Sequence, residues 1–145
     1  MKVVVQRVKS VRLSVDGKLI SQIPFGLAVY LGVKSGDNRN QCEAVAKKIA
    51  ALRIFEDDNG KMNLSVRDVG GEVMLISQFT LYGDCSRGNR PSFSEAERPE
   101  PANELYEYTA ECIRSYGVTV KQGIFGANMK IEQLNDGPVT IIYEI

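Results

Sequence analysis

Polar side chains follow an apolar segment in the middle of the chain. The run VMLI (73–76) predicts a buried strand. It is followed directly by Ser77, Gln78, Phe79 and Thr80. Hydroxyl and amide groups fixed at the edge of a sheet can orient a polar substrate and hydrogen-bond a reacting carbonyl group. An ordinary strand end, with alternate residues facing solvent, has the same composition, and the residue types alone leave both interpretations open.

A Gly-Pro pair lies within the segment NDGPVT (135–140), just before the last apolar run of the sequence. Proline donates no N–H to a strand ladder and is rare in central strands. Gly137-Pro138 therefore indicates either a plain turn with a trans peptide bond or a stretch of main chain with an unusual, fixed shape. A cis bond would create a surface free of side chains, but only about 5–6% of X-Pro bonds in folded proteins are cis.

The sequence contains no histidine. Histidine is the side chain that titrates near neutral pH and is the commonest general base. Ser-His-Asp triads, Cys-His pairs and histidine-ligated metal sites are therefore excluded. Any catalysis must use hydroxyl, carboxylate, lysine or backbone groups, or a group on the substrate itself.

The composition is that of a globular protein, with 43% hydrophobic and 25% charged residues in a chain of 145. We expect a single domain spanning residues 1–145. Eighteen basic and eighteen acidic side chains cancel, which argues against a general polyanion binder but leaves room for a local basic patch. No apolar run approaches the ~18 residues of a membrane span, and no signal peptide is recognisable. The expected location is the cytoplasm, with no membrane partner.

No metal or cofactor is expected from the remaining candidate ligands. Cys42, Cys85 and Cys112 are far apart and lack CxxC spacing, which favours three reduced thiols over a disulfide or a zinc site. The acidic run Glu56–Asp58 is expected to be a charged loop, because no partner ligands accompany it at coordinating spacing. Neither GxGxxG nor GxxxxGK[ST] is present, so a dinucleotide or P-loop site is not expected.

A glycine-containing basic loop, GDCSRGNRPSF (83–93), follows the apolar segment. Its arginines, Arg87 and Arg90, could hold RNA phosphates while the neighbouring Phe93 stacks on a base. The same residues are equally typical of solvated surface, and binding to RNA requires many phosphate contacts. Both interpretations remain open on sequence grounds.

The strands that must position these groups are predicted from alternating or continuous apolar runs. Asp16-Gly17 between VRLSV and KLISQI is typical of a two-residue hairpin turn. A strand is also predicted from Glu72 to Leu81. The other predicted strands are MKVVVQRV (1–8), LAVYLGV (27–33), VTVKQGIF (118–125), ANMKIEQL (127–134) and VTIIYEI (139–145).

Two amphipathic helices are predicted from apolar residues at helical spacing. The first runs from Asn38 to about Leu52, with Asp37 or Asn38 as N-cap, and the second follows Pro99 and Pro101 and ends at Gly117. The second is expected to bury Leu105, Tyr108, Thr109, Cys112 and Tyr116. No βαβ alternation is predicted. The expected fold is therefore α+β, with a mainly antiparallel, curled or barrel-like sheet and two amphipathic helices.

The segments SQFTL (77–81) and NDGPVT (135–140), in this order and at this separation, resemble those of the D-aminoacyl-tRNA deacylase (D-tyrosyl-tRNA deacylase) family. The likeness extends over essentially the whole chain. It includes QRV (6–8), RIF and GKMN (53–63), RGNRPSF (87–93) and GIFGANM (123–129). Ile124 departs from the pattern, since relatives often carry a basic residue there.

This resemblance implies a homodimer with active sites at the subunit interface. Each site would combine the SQFT segment of one subunit with the Gly137-Pro138 turn of the other, the proline being cis. The implied catalytic residues are Ser77, Gln78, Phe79 and Thr80. The implied substrate-binding residues are Gly137, Pro138, Phe125, Met129 and Arg7, with Arg7 anchoring the turn. Neither a metal nor a cofactor is implied.

The implied substrate is tRNA carrying a D-amino acid or a mischarged glycine, and rigid main chain at the Gly-Pro turn would reject L-amino acids. Two mechanisms stay open. Either the 2′-hydroxyl of the terminal ribose assists while the N–H groups of Phe79 and Thr80 or the Gln78 amide stabilise the oxyanion, or the Thr80 hydroxyl is the nucleophile or positions water. The alternative functions are a noncatalytic tRNA- or RNA-binding module and an interaction protein that assembles through sheet edges.

Overall fold

A long first strand organises the fold, which the computed structural model describes for residues 1–145. This strand, β1 (Lys2–Val15), pairs along one side with the last strand, β8 (Met129–Glu144). Along its other side it pairs first with β3 (Gly26–Gly32) and then with β2 (Lys18–Ile23). All three pairings are antiparallel, so one strand of 14 residues connects both halves of the sheet.

Two further pairings are parallel, so the prediction that the chain has no βαβ alternation is wrong. Strand β6 (Glu72–Ser77) runs parallel to β3, and β7 (Val120–Gln122) runs parallel to β6. The helices α1 (Arg39–Ala51) and α2 (Pro99–Ser115) lie in the two crossover connections. The chain therefore contains the βαβ alternation that we did not predict. A small separate ribbon, β4 (Phe55–Glu56) with β5 (Met62–Leu64), precedes β6.

The predicted class is confirmed, because two helices pack on a curled, nearly closed and barrel-like sheet. The larger core cluster lies between the sheet and the helices and includes Val3, Val5 and Ile49. A smaller cluster, which includes Val11 and Leu13, fills the opposite face of the sheet. The two halves of β1 thus contribute to different cores, because the register of β1 against β8 shifts between Gln6 and Ser10 and changes the face that the later residues take.

The helices begin and end near the predicted positions, but α2 buries a different face. Asn38 is the N-cap of α1 in a capping box with Gln41, and Gly117, with φ +79°, follows the end of α2. The fully buried residues of α2 are Ala102, Tyr106, Thr109, Ala110 and Ile113. Of the predicted stripe only Thr109 is among them, and the others are half-buried along its margin. Neither helix is long and apolar enough to cross a membrane.

One glycine is essential to the parallel pairing. Gly26 has φ +137°, and a Cβ at this position would lie 1.9 Å from the carbonyl oxygen of Glu72. Only glycine can therefore occupy the position where β3 and β6 begin to run side by side. This register aligns Leu31 with Ser77 and so fixes the end of β6 in space.

Candidate active site

The buried strand β6 ends at Ser77, and the chain then turns sharply. A short 3-10 helix covers Phe79–Tyr82, so the prediction that the strand continues to Leu81 is wrong. Gln78 donates its N–H to the carbonyl oxygen of Leu31 at 2.8 Å, which keeps the turn attached to β3. The polar segment is therefore held by the sheet on one side and by a helical turn on the other.

Backbone donors are available at the start of this turn. The first hydrogen bond of the 3-10 helix runs from the Leu81 N–H to the Gln78 carbonyl oxygen at 3.3 Å. The N–H groups of Phe79 and Thr80 precede it and lie outside its hydrogen-bonding pattern. The Gln78 side chain donates from Nε2 to Oγ1 of Thr80, which is exposed. Three potential donors to a substrate oxygen thus lie within three consecutive residues.

The turn borders a cavity of about 570 Å³. Small-molecule sites commonly have about this volume, with mostly apolar walls and a few polar groups. Ser77, Gln78 and Phe79 line it together with Phe125 and Met129. Its inner wall is apolar and includes Leu31, Val33, Ile76, Ala102 and Tyr106.

Packing holds in place two of the five residues that the segment GIFGANM contributes to this cavity, Phe125 and Met129. The ring of Phe125 lies 5.9 Å from that of Tyr106 on α2, centroid to centroid. Met129 begins β8 and packs against the smaller core cluster. The absence of a side chain at Gly123 makes room for it, because a Cβ there would clash with both Met129 and Leu13. Side-chain packing thus holds Phe125 and Met129 in the cavity wall.

The ionisable groups that line the cavity keep one charge state around neutral pH. Burial raises the pKa of Tyr106 to about 12, and its hydroxyl donates to the Leu75 carbonyl oxygen at 2.9 Å. Hydrogen bonds from the Arg98 and Gly36 N–H groups lower the pKa of Glu97. Tyr106 therefore stays protonated and Glu97 stays ionised, so neither is suited to exchange protons with a substrate at neutral pH.

Two aromatic rings form the mouth of the cavity. Phe79 is 56% exposed and meets Phe93 edge-on at a centroid distance of 5.1 Å. Paired backbone hydrogen bonds between Asp84 and Ser92, 2.8 and 2.9 Å long, close the intervening loop. Arg87 and Arg90, the two arginines of that loop, are exposed. An apolar stacking surface thus adjoins a pair of cations.

The Gly-Pro segment is a bulge of unusual main-chain shape inside β8, the second of the two alternatives, and the strands predicted on either side of it are parts of one strand. Asn135 lies opposite Val8 of β1, and Thr140 lies opposite Gln6. The four residues 136–139 therefore face the single residue Arg7. We call this segment the 136–139 bulge, and it is pushed out of the sheet because four residues cannot fit opposite one.

Glycine is required at the centre of the bulge. Gly137 has φ +125°, and a Cβ would lie 2.8 Å from the Val139 nitrogen and 3.3 Å from Nη2 of Arg7. The Gly137–Pro138 peptide bond is cis. Both residues are exposed, so the bulge presents main chain and a proline ring to its surroundings.

Arg7 supports the bulge from beneath and is only 7% exposed. Its Nε donates to the Asp136 carbonyl oxygen at 3.2 Å, and its Nη1 donates to the Ile54 carbonyl oxygen at 2.8 Å. The carboxylates of Asp136 and Glu56 lie 3.3 and 3.9 Å from its guanidinium nitrogens. A buried guanidinium needs such partners, and here they include the main chain of the bulge itself.

The chain resembles known proteins over nearly its whole length. The family model described as D-Tyr-tRNA(Tyr) deacylase matches residues 4–144. The chain belongs to the D-Tyr-tRNA(Tyr) deacylase family. A "D-aminoacyl-tRNA deacylase" of Fervidobacterium nodosum is 54% identical over 144 residues, 99% of this chain and 97% of that protein. One of Carboxydothermus hydrogenoformans is 50% identical over 145 residues, the full length of both chains.

Solved structures agree with the deacylase family fold. One described as "c-Myc DNA Unwinding Element Binding Protein" superposes with a TM-score of 0.93 at 40% identity, covering 100% of this chain and 99% of that one. Another, "Structural Analysis of a probable eukaryotic D-amino acid tRNA deacylase", gives a TM-score of 0.85 over 99% and 98% of the two chains. Its sequence identity is 16%, so this second likeness concerns the fold alone.

The structure divides the deacylase-family candidate residues of this chain into two groups. Ser77, Gln78, Phe79, Phe125 and Met129 surround the cavity, and Thr80 adjoins it through its hydrogen bond to Gln78. Gly137, Pro138 and Arg7 meet one another but lie outside the cavity lining.

Sequence reasoning did not find the α2 contribution to the cavity. Ala102 and Tyr106 form part of its wall, and Tyr106 also supports Phe125. Their spacing of four residues places both on one face of the helix, which is the signal that identifies them.

Proposed function

We propose that this protein hydrolyses the ester bond between a D-amino acid and the terminal adenosine of tRNA, and acts in the same way on glycine carried by the wrong tRNA. The products are the free amino acid and tRNA. The reaction class follows from family membership, since the chain is a D-aminoacyl-tRNA deacylase and hence a carboxylic ester hydrolase. The observation that carries the detailed proposal is the separation of the cavity from the 136–139 bulge within one chain.

In a homodimer, the cavity residues of one subunit could meet the 136–139 bulge of the other. Strand β8 pairs only with β1, which leaves an open edge along a strand of 16 residues. Proteins rarely leave such an edge and its apolar side chains uncovered. Ile142 and Leu134 of β8 are 67% and 58% exposed in the single chain. These features support a twofold arrangement in which the bulge of each subunit reaches the cavity of its partner.

In such a site, rigid main chain determines whether a D- or an L-amino acid is accepted. When the ester and the amino group of the substrate are both held, its Cα can direct a side chain in only two ways. Carbonyl groups at Gly137-Pro138 hold the amino group, and the adjoining main chain fills the direction that an L side chain needs. A D side chain points away, and glycine has no side chain to exclude. The selection is made by steric exclusion of the wrong substrate.

The chemistry requires little from the protein because an aminoacyl ester is already activated. Water adds to the ester carbonyl carbon, the carbonyl oxygen gains negative charge, and the 3′-oxygen of the ribose leaves with a proton. In this proposal the Phe79 and Thr80 N–H groups and the Gln78 amide, which lie together at the start of the 3-10 helix, donate to that oxyanion. The neighbouring 2′-hydroxyl of the ribose assists proton transfer, so that no histidine is needed.

The mouth of the cavity suits the single-stranded end of a tRNA. Phe79 and Phe93 offer a stacking surface for a base, and Arg87 and Arg90 offer charge for phosphates. A noncatalytic RNA-binding module would use the same surface. It would differ in leaving the ester intact.

The decisive experiment compares D-tyrosyl-tRNA with L-tyrosyl-tRNA under single-turnover conditions. We expect rapid loss of the D-ester while the L-ester decays at its spontaneous rate. Retention of both esters, with tRNA bound, would leave the noncatalytic module as the function. Equal cleavage of both would contradict steric selection by the bulge. The same assay with a 2′-deoxyadenosine terminus tests the ribose, since cleavage at the full rate would remove its role.

A further inference from the structure

A continuous chain of side-chain hydrogen bonds joins the two ends of the 136–139 bulge. The Tyr30 hydroxyl donates to Oε1 of Gln133 at 3.0 Å. Nε2 of Gln133 donates to Oε1 of Gln6 at 2.7 Å and also to Oδ1 of Asn135. Nε2 of Gln6 donates in turn to Oγ1 of Thr140 at 3.2 Å. We call these five residues the amide chain.

The amide chain closes the base of the bulge. Asn135 is the last residue before it and Thr140 is the first residue after it. Through Gln133 and Gln6 these two residues are linked across the gap that the bulge leaves in the ladder between β1 and β8. Tyr30, on β3, ties the link to a third strand. The spacing between the two ends of the bulge is thus set by side chains as well as by the strands.

All donors and acceptors of the amide chain are matched in direction. Each glutamine accepts a hydrogen bond at Oε1 and donates one from Nε2. No two donors and no two acceptors therefore face each other. All five side chains are neutral at ordinary pH. A neutral network costs less desolvation than an ion pair if a second subunit covers it. Arg7, by contrast, holds the bulge only near its start, through Asp136.

We propose that the amide chain is a positioning device that fixes the bulge and thereby sets the discrimination between D- and L-aminoacyl esters. This inference rests on the function proposed above. Steric exclusion works only if the excluding main chain cannot retreat, and a displacement of about 1 Å can cost about a hundredfold in an active site. Gln6 and Gln133 are the specificity-determining members because Gln6 connects two other residues and Gln133 connects three.

Substitution of Gln6 tests this role with a matched pair of variants. Gln6→Leu keeps the size of the side chain but removes both hydrogen bonds. Gln6→Glu keeps an acceptor for Gln133 and supplies a second oxygen to accept from the Thr140 hydroxyl. Glu132→Leu is the control, since Glu132 is exposed and adjoins Gln133 on β8 outside the amide chain. The rates of D- and L-tyrosyl-tRNA hydrolysis are measured for each.

We expect Gln6→Leu to lower the ratio of D to L rates by about tenfold, the effect of losing one or two hydrogen bonds. Glu132→Leu should keep the wild-type ratio, and Gln6→Glu should lie closer to it than Gln6→Leu does, because it keeps hydrogen bonds but adds a charge. A D-selective wild type with an unchanged ratio in Gln6→Leu would overturn the role of the amide chain and leave the proposed function intact. A wild type without D selectivity would overturn both.

A second variant covers the case in which Gln6→Leu fails to fold or to associate. Tyr30→Phe removes only the hydroxyl that donates to Gln133, and light scattering reports its oligomeric state. Amide hydrogen exchange of Asp136, Gly137, Val139 and Thr140, followed without substrate, should be faster in Tyr30→Phe than in the wild type, while exchange in α1 is unchanged. Equal exchange of these four residues in both proteins would contradict the positioning role.

Discussion

Arg7 donates from Nε to the carbonyl oxygen of Asp136 at 3.2 Å, one residue before Gly137. The guanidinium is buried, and a second nitrogen binds the Ile54 carbonyl oxygen in the connection between α1 and β4. The bulge is thereby tied to two distant segments of the chain. A positively charged group beneath the bulge also orients the Asp136 carbonyl inward.

Replacement of Arg7 by Met should lower the free energy of unfolding by about 1–3 kcal/mol, because two buried carbonyl groups lose their donor. The discrimination between D- and L-esters should fall as well. Urea denaturation measures the first effect, and the paired ester assay measures the second. Arg12→Met, at an exposed position of the same strand, is the control. Equal stability of the two variants would contradict an anchoring role for Arg7.

Replacement of Gly137 by Ala should lower D-ester hydrolysis by more than about tenfold, because the added Cβ meets the Val139 nitrogen and the positive φ is unfavourable. Gly70→Ala separates the two causes. Gly70 also has a positive φ, +65°, but a Cβ there would meet nothing within 4 Å. Similar activity in both variants would mean that close approach at Gly137 is unimportant.

Replacement of Thr80 by Ala should leave turnover within about threefold of the wild type, since the backbone N–H groups remain in place. Loss of a nucleophilic hydroxyl would instead abolish most of the rate, by about a hundredfold or more. Single-turnover rates with D-tyrosyl-tRNA distinguish the outcomes. A large loss would identify the Thr80 hydroxyl as the reacting or water-positioning group.

Replacement of Phe93 by Ala should raise KM for aminoacyl-tRNA by about tenfold with little change in kcat, the effect of one lost stacking contact. Phe25→Ala is a suitable control, because Phe25 is 38% exposed and does not line the cavity. Steady-state kinetics over a range of tRNA concentrations separate KM from kcat. A change confined to kcat would mean that Phe93 acts on the reacting ester and not on the RNA.

Stability should fall at alkaline pH because of Tyr106. Burial raises its pKa to about 12 in the folded protein, whereas an exposed tyrosine in the unfolded chain has a pKa of about 10. The unfolded state therefore loses its proton first, and the free energy of unfolding decreases from about pH 10 to about pH 12. The free energy of unfolding of Tyr106→Phe, measured by urea denaturation, should decrease less steeply across this pH range than that of the wild type. Equal slopes for the two proteins would contradict the raised pKa.

Local rules predict much of the fold. Asp16 and Gly17 have φ +50° and +76°, as the hairpin signal requires, and β2 begins at the next residue. Asn38 caps α1 with its side chain. These features depend on neighbouring residues, and the sequence contains that information directly.

The features that were not predicted depend on distant pairing. The apolar runs of β3 and β6 indicate strands, but they run parallel because a long crossover connection containing α1 joins them. The 136–139 bulge depends on the register of β8 against β1, and no local pattern reports that register. The family resemblance identified Gly137 and Pro138 as candidates, but their separation from the cavity required the structure.

The most direct test of a site shared between subunits is complementation. Gly137→Ala damages the bulge, and Ala127→Phe fills the cavity that Ala127 lines. When the two inactive variants are unfolded together and refolded as a mixture, half of the dimers are mixed, and each mixed dimer has one undamaged site. We predict recovery of about a quarter of wild-type D-tyrosyl-tRNA hydrolysis. No recovery, from a mixture shown to contain mixed dimers, would contradict a bulge that acts across the twofold axis.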